Sequence, residues 1–203
     1  MAPKSARKRA TPRASKRMPK KTGRKRSASA RQPDAIRMLK DDHAKVEALF
    51  ARFEKTRGDA QKEKLAATIC EELKIHTTIE EELFYPAARA ALREADMDLM
   101  EEAQIEHNSA KALIELIEGG SPSDENYDAL VTVLGEYIKH HVKEEHNEIF
   151  PKVRQTDLDL VALGDRMKKR KESLQGGPAT RVVGRVASLV AASSPRMHEA
   201  PPA

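Results

Sequence analysis

Four stretches between residues 34 and 154 repeat apolar side chains at helical intervals, and in each the row that must face an interior carries one histidine. The rows run Ile36, Leu39, His43, Val46, Phe50, Phe53; Leu65, Ile69, Leu73, His76, Glu80, Phe84; Met100, Ala103, His107, Ala110, Ile114, Ile117; and Leu130, Leu134, Tyr137 or Ile138, His141, Glu145, Ile149. Two rows therefore hold a glutamate as well. No other feature constrains the fold so strongly. A helical apolar stripe has to be buried, whereas a buried carboxylate without a partner costs several kcal/mol. Both demands are met only if the interior supplies a cation or a network of donors.

Breaks fall at Arg57–Asp59, near Asp96 and at GGSPSD (Gly119–Asp124), where a glycine stop is followed by Ser and Asp caps. The spacing predicts long helices over 34–56, 60–92, 97–118 and 123–154 and a shorter fifth over 157–174. The expected fold class is all-α: an up-down-up-down four-helix bundle with a short fifth helix, occupying residues 34–174. Glu, Lys, Ala and Leu dominate this region, which favours helices over strands.

The segments HTTIEEELFYP (His76–Pro86) and HVKEEHNEIFP (His141–Pro151) each place a Glu four residues and a Pro ten residues after the His. Such His–Glu pairs lie on one helix face. In helices that run up and down, residues equidistant from a short turn share a height. His43 and His76 flank the Gly58–Asp59 turn about symmetrically, Glu80 and His107 the break before Asp96, and His107 and His141 the edge of the Gly119–Asp124 turn. All four histidines thus fall near one level. HAKVEALF and HNSAKALI share a spacing too, with His43 to His107 spanning 64 positions and His76 to His141 spanning 65. Two hairpins related by a pseudo-twofold axis would bring four His and two Glu together.

Imidazole and carboxylate without thiolate suit iron, manganese or zinc alike. Two carboxylates can bridge two ions, and four His then give two nitrogens to each, leaving a coordination position for a small ligand. Phe84, Tyr85, Ile149 and Phe150 read as core packing. His140 and His146 stand one step off the stripe and read as solvent-facing or as backing the ligands, with His146 able to swing inward. His198 lies in the tail.

The set of motifs resembles the hemerythrin-like (HHE cation-binding) family over about residues 34–173, including LDLVALGDRMKKRKESL after the fourth helix. One His-x-x-x-Glu is unspecific; the set is specific. The resemblance implies an up-down four-helix bundle around two non-haem iron ions. It implies ligands at His43, His76, Glu80, His107, His141 and Glu145, with the two Glu as bridges. It further implies binding of O2, peroxide or NO for sensing, scavenging or iron handling, or an enzyme that disproportionates peroxide or reduces NO. Where the oxygen-carrying members have another His four residues after the third-helix His, this chain has Lys111. One nitrogen ligand is lost, which argues against reversible O2 carriage and makes the two metal positions more equivalent. Lys111, Tyr137 and His146 are the candidates for side chains that back the ligands. Ferritin-like di-iron bundles use Glu-x-x-His, and none of the seven His here has a Glu three residues before it.

The charge is split. Of 37 Lys and Arg, 13 lie in residues 1–33 with no acid among them, leaving 24 against 32 acidic residues, a net −8, in the rest. The arm has almost nothing apolar to bury and is expected to be disordered, as is the Gly-, Pro- and Ser-rich tail over 175–203, where RVVGRVASLVAA can form a transient helix. Clustered cations predict salt-sensitive, sequence-independent nucleic-acid binding through residues 4–31, a DNA-tethered protective role being one functional alternative; the competing expectation is an arm that only solubilises. One cysteine, Cys70, excludes an intrachain disulfide framework and fits a cytoplasmic protein, nucleoid-associated under the DNA-tethered alternative. No apolar run reaches the ~20 residues of a membrane span, and no signal-peptide core follows the basic start. Oligomeric state is open.

Overall fold

The computed structural model describes residues 33–176. The arm up to residue 32 and the tail from 177, with the expectations of disorder, of a transient helix and of His198, lie outside the described residues. Among the described residues the fold is all-helical. Helix α1 spans Ala35–Lys55, and the Asp34 side chain caps it by accepting from the Arg37 N–H at 2.8 Å. Helix α2 spans Asp59–Ile79, α3 Tyr85–Ala91, α4 Met97–Gly119, α5 Tyr127–Glu144, α6 Phe150–Val153 and α7 Leu160–Gln175. The start of α5 falls later than the expected 123, because the Asp124 carboxylate accepts the Ser121 N–H at 2.7 Å and holds that stretch as a turn.

The second and fourth helices are each interrupted where the sequence reading ran them straight through. A π-helical turn occupies Glu80–Phe84 between α2 and α3, and another occupies Glu145–Ile149 between α5 and α6. The Tyr85 N–H donates five residues back to the Glu80 carbonyl, and the Phe150 N–H to that of Glu145. Pro86 and Pro151 supply the reason. Each lacks the N–H that a regular helix would offer to the carbonyl four residues earlier, and its ring crowds that carbonyl. The proline ten residues after each His therefore widens the helix where the Glu sits.

Helix α1 packs along α2 and α4 along α5; α1 also meets α5, and α2 meets α4. Helix α7 lies against α1 and α2. Its close approach requires Gly164, where a Cβ would stand 2.8 Å from the Ala35 backbone nitrogen. Arg170 then donates to both oxygens of Glu82 at 2.6 and 2.8 Å.

The apolar interior is divided in two. One cluster contains Ile36, Leu39, Phe84, Met100, Phe150 and Met167; the other contains Phe53, Ile69, Leu73, Ile114, Val131 and Leu134. Along α1, α2, α4 and α5 the change from one cluster to the other occurs at or just after the histidine. The polar layer between the clusters is the level that the turn positions predicted. No described helix is long and apolar enough to cross a membrane.

Candidate metal centre

His43 and His76 come from the first hairpin (α1, α2), His107 and His141 from the second (α4, α5). Within each pair the Nε2 atoms face one another, at 2.9 Å for His43 and His76 and 3.1 Å for His107 and His141. The two glutamates connect the pairs. Glu80 Oε2 lies 3.1 Å from His76 Nε2 and 3.4 Å from His107 Nε2. Glu145 Oε2 lies 3.2 Å from His43 Nε2 and 3.8 Å from His141 Nε2. Each carboxylate thus reaches one histidine of its own helix and one of the other hairpin. Both glutamates are 0% exposed. The ligand atoms fall into two groups, His43, His76, Glu80 and Glu145 in one and Glu80, His107 and His141 in the other, each within 4.8 Å.

The outer ring nitrogens are backed by a second ring of side chains with the same pseudo-twofold relation. The residue before each first-helix histidine faces the second-helix histidine: Glu106 Oε2 accepts from His141 Nδ1 at 2.7 Å, and Asp42 Oδ2 stands 3.8 Å from His76 Nδ1. The residue after each central glutamate faces the first-helix histidine of the other hairpin: Glu81 Oε1 accepts from His107 Nδ1 at 3.1 Å, and His146 Nε2 lies 3.0 Å from His43 Nδ1. Lysines anchor two of these carboxylates. Lys111 donates to Glu81 at 2.6 and 2.7 Å, and Lys171 of α7 pairs with Asp42. The bond from His107 outweighs burial and, with Lys111, holds the Glu81 carboxyl at about 2.

Of the backing candidates, Lys111 and His146 therefore sit against the cluster, Lys111 through Glu81. Tyr137 does not: Ile138 takes the core-facing place on α5, and Tyr137 lines an acidic groove beside Glu106 and His140. The tyrosine at the cluster is Tyr85, which the sequence reading assigned to packing alone. It is buried, and its hydroxyl donates to Glu145 Oε1 at 3.1 Å, 3.1 Å from His107 Nε2 and 3.5 Å from His141 Nε2. Burial, followed by Glu145 and Glu80, pushes its pKa well above 10.0, so the hydroxyl keeps its proton. Asp42, Glu81 and Glu106 were also missed; the available signal was an acid directly beside His43, Glu80 and His107.

The donor set calls for cations. A histidine that gives its Nδ1 proton to a carboxylate turns a bare lone pair inward at Nε2. His107 and His141 do so toward Glu81 and Glu106, and their lone pairs, 3.1 Å apart, repel unless a positive charge stands between them. Both oxygens of Glu80 and Oε2 of Glu145 are buried without an aligned hydrogen-bond donor among the described residues, although ring nitrogens lie beside Oε2 of each. Distance is satisfied and direction is not, as expected where lone pairs converge on an ion. Thiolate takes no part: Cys70 is buried in the apolar cluster, where burial raises its pKa to about 12. A cavity of about 10 Å³ adjoins the four histidines, walled by Val46, Leu73, Ile138 and Val142. That is about the smallest space that holds one water-sized molecule. A groove of about 510 Å³ between α1 and α5 reaches His43 and His146 from outside and shares Ile138 and Val142 with that cavity.

The family model described as Hemerythrin HHE cation binding domain matches residues 34–153. A protein named DNA nickase from Nostoc sp. is 31% identical over 152 residues, 72% of this chain and 42% of that protein. An uncharacterized protein of Mycobacterium tuberculosis is 33% identical over 110 residues, 53% of this chain and 65% of its own length. The chain thus spans less than two thirds of either relative. The crystal structure of a hemerythrin HHE cation binding domain-containing protein from Mycobacterium kansasii resembles this fold with a TM-score of 0.61 at 25% identity, over 70% of this chain and 88% of that one.

Proposed function

Since this chain belongs to the hemerythrin HHE cation-binding domain family, we propose that it is a non-haem di-iron protein whose two ions lie between the hairpins, held by His43, His76, Glu80, His107, His141 and Glu145. The observation that carries this reading is the placement of one oxygen of each buried glutamate between imidazole nitrogens of both hairpins, with no aligned donor. Glu80 and Glu145, each reaching a histidine of both hairpins, would be shared between the two ions. The coordination chemistry alone permits manganese or zinc; the family favours iron.

When bound, an iron pair supplies open coordination positions and electrons for O2, peroxide or NO. The chain's own residues set the conditions. Glu81, Glu106 and His146 orient the imidazoles through their outer nitrogens. Tyr85 holds its proton against Glu145. Phe84 and Phe150, each at most 1% exposed, keep water from one side of the layer. The cavity beside the histidines has room for about one water-sized molecule, so a small ligand can reach the ions; this supports sensing or scavenging and equally supports peroxide disproportionation or NO reduction. Elemental analysis of the purified chain, with visible spectra before and after peroxide and NO, tests the reading. Two irons per chain and ligand-dependent bands are expected; one metal or none overturns it. Sustained O2 evolution from peroxide would make the protein an enzyme.

A second reading has its own support. Thirteen cations without an acid in residues 1–33 suit a polyanion, and a relative bears the name DNA nickase. Non-specific DNA contact through the arm would keep the iron centre near DNA.

A further inference from the structure

A second groove, of about 580 Å³, opens between α4 and α5 and is lined by carboxylates: Asp98, Glu101, Glu102 and Glu106, with His140 beside them. Its inner wall is not a surface acid. The Glu106 side chain is 9% exposed, and its oxygens are divided between two tasks. Oε2 accepts from His141 Nδ1 at 2.7 Å. Oε1 has no hydrogen-bond donor among the described residues and lies 3.8 Å from His140 Nε2, which in turn lies 3.1 Å from Glu144 Oε1. One ligand atom from each of Glu106, His140 and Glu144 can be drawn within 4.8 Å of the others.

We propose that Glu106, His140 and Glu144 form a docking site for a divalent cation, at which iron is received from solvent before it passes to the buried centre. The inference rests on the di-iron reading for its purpose, but not for its ligands. One imidazole and two carboxylates suit Fe²⁺. The His140 side chain is 62% exposed, so an ion can arrive and leave, while Glu106 anchors the site in the bundle wall. A groove lined by one sign of charge concentrates the opposite ion at its floor. The α1–α5 groove has no such bias, since Lys40, Lys139 and Lys143 stand there among Glu47, Glu54 and Glu136. Glu106 is shared between the groove and His141, so a single imidazole separates the outer site from the inner cluster.

The test uses the full chain. Metal-free protein is mixed with Fe²⁺ without oxygen, and filling is followed by chelator competition. The double variant His140→Ala with Glu144→Gln is expected to fill about tenfold more slowly, with the same final metal content. Glu136→Gln, which removes a like charge from the other groove, is expected to fill at the native rate. Separately, native chain filled with zinc and freed of excess is titrated with Co²⁺; a visible Co²⁺ band distinct from that of the hydrated ion is expected, and it should vanish in His140→Ala. An unchanged filling rate in the double variant, equal slowing by Glu136→Gln, or a Co²⁺ band that survives His140→Ala overturns the proposal. A native chain that takes up no iron overturns the di-iron reading instead, and the Co²⁺ titration then decides the outer site by itself.

Discussion

His146 Nε2 stands 3.0 Å from His43 Nδ1, in the place that Glu81 holds against His107 in the other half of the bundle. The pseudo-twofold relation of the cluster is broken there. Burial, then the neighbouring His43 and Lys40, keep the His146 pKa below its ordinary value, so this partner is neutral whereas Glu81 is an anion. A carboxylate partner makes an imidazole a stronger donor than a neutral partner does. The first-helix histidines of the two hairpins are therefore backed by different groups, a neutral imidazole at His43 and a lysine-anchored carboxylate at His107.

Removing the partner should weaken metal binding. His146→Ala is expected to lower affinity about tenfold, measured by chelator competition, and His146→Glu to retain it while shifting the visible spectrum. Native affinity and spectrum in both variants would leave His146 without a role at the centre.

Glu80→Ala and Glu145→Ala should each reduce the metal content to one ion or none, because each removes an oxygen donor shared by both hairpins. In the native chain metal should raise the melting temperature, by an amount equivalent to about 2.7 kcal/mol at a hundredfold excess over Kd. A native melting temperature that ignores iron would count against the site.

Without metal the layer must find its positive charge in protons. Burial disfavours the charged form of His76, yet Glu80, Asp42 and Glu145 raise its pKa from 6.5 to about 10. For His107 burial likewise opposes, while Glu80, Glu81 and Glu145 raise it to about 9. Raised folded-state values stabilise the fold fully below pH 6.5, and this contribution is lost as pH climbs through 9 to 10. The melting temperature of metal-free protein should therefore fall across that window. Filling with metal should displace the protons, detectable as acidification of a weakly buffered solution. A level or rising metal-free curve would show that these histidines are not protonated.

Tyr85→Phe keeps the packing and deletes the hydroxyl. Loss of the bond to Glu145 should cost about 1–3 kcal/mol in the metal-free protein. Metal content should stay the same, with a shifted visible spectrum once iron is bound. Identical stability and spectrum would return Tyr85 to the role of a core side chain.

Deleting residues 1–33 should abolish DNA binding in a gel-shift series, and native binding should weaken steeply with salt. The remaining −8 charge repels phosphate. Binding that survives the deletion, or that ignores salt, would refute a role for the arm.

Much of the layer was legible because short turns and a regular rise convert position along the chain into height. His43, His76, His107 and His141 could be levelled by their distances from Gly58, Asp96 and Gly119 alone, and the structure puts them within 3.1 Å in pairs. The two π turns were not read, although Pro86 and Pro151 were in view, because a proline in a helical pattern is compatible with a stop, a kink or a widened turn. Which one occurs depends on what packs against the next turn.

The sequence by itself determined the helical segments, the three breaks at the turns and the buried His and Glu rows, all of which follow from local periodicity and capping. Only the tertiary structure decided the ring behind them. Asp42, Glu81 and Glu106 look like ordinary charges on solvent-facing positions, and Tyr85 and Tyr137 are equally plausible inward residues. The lateral packing of neighbouring helices chose Ile138 for the interior and aimed the three carboxylates at ring nitrogens, and the register shift of the π turn at Glu80–Phe84 helped to turn Tyr85 inward. Such contacts depend on the rotation and separation of helices that are distant in the chain, which no local spacing encodes.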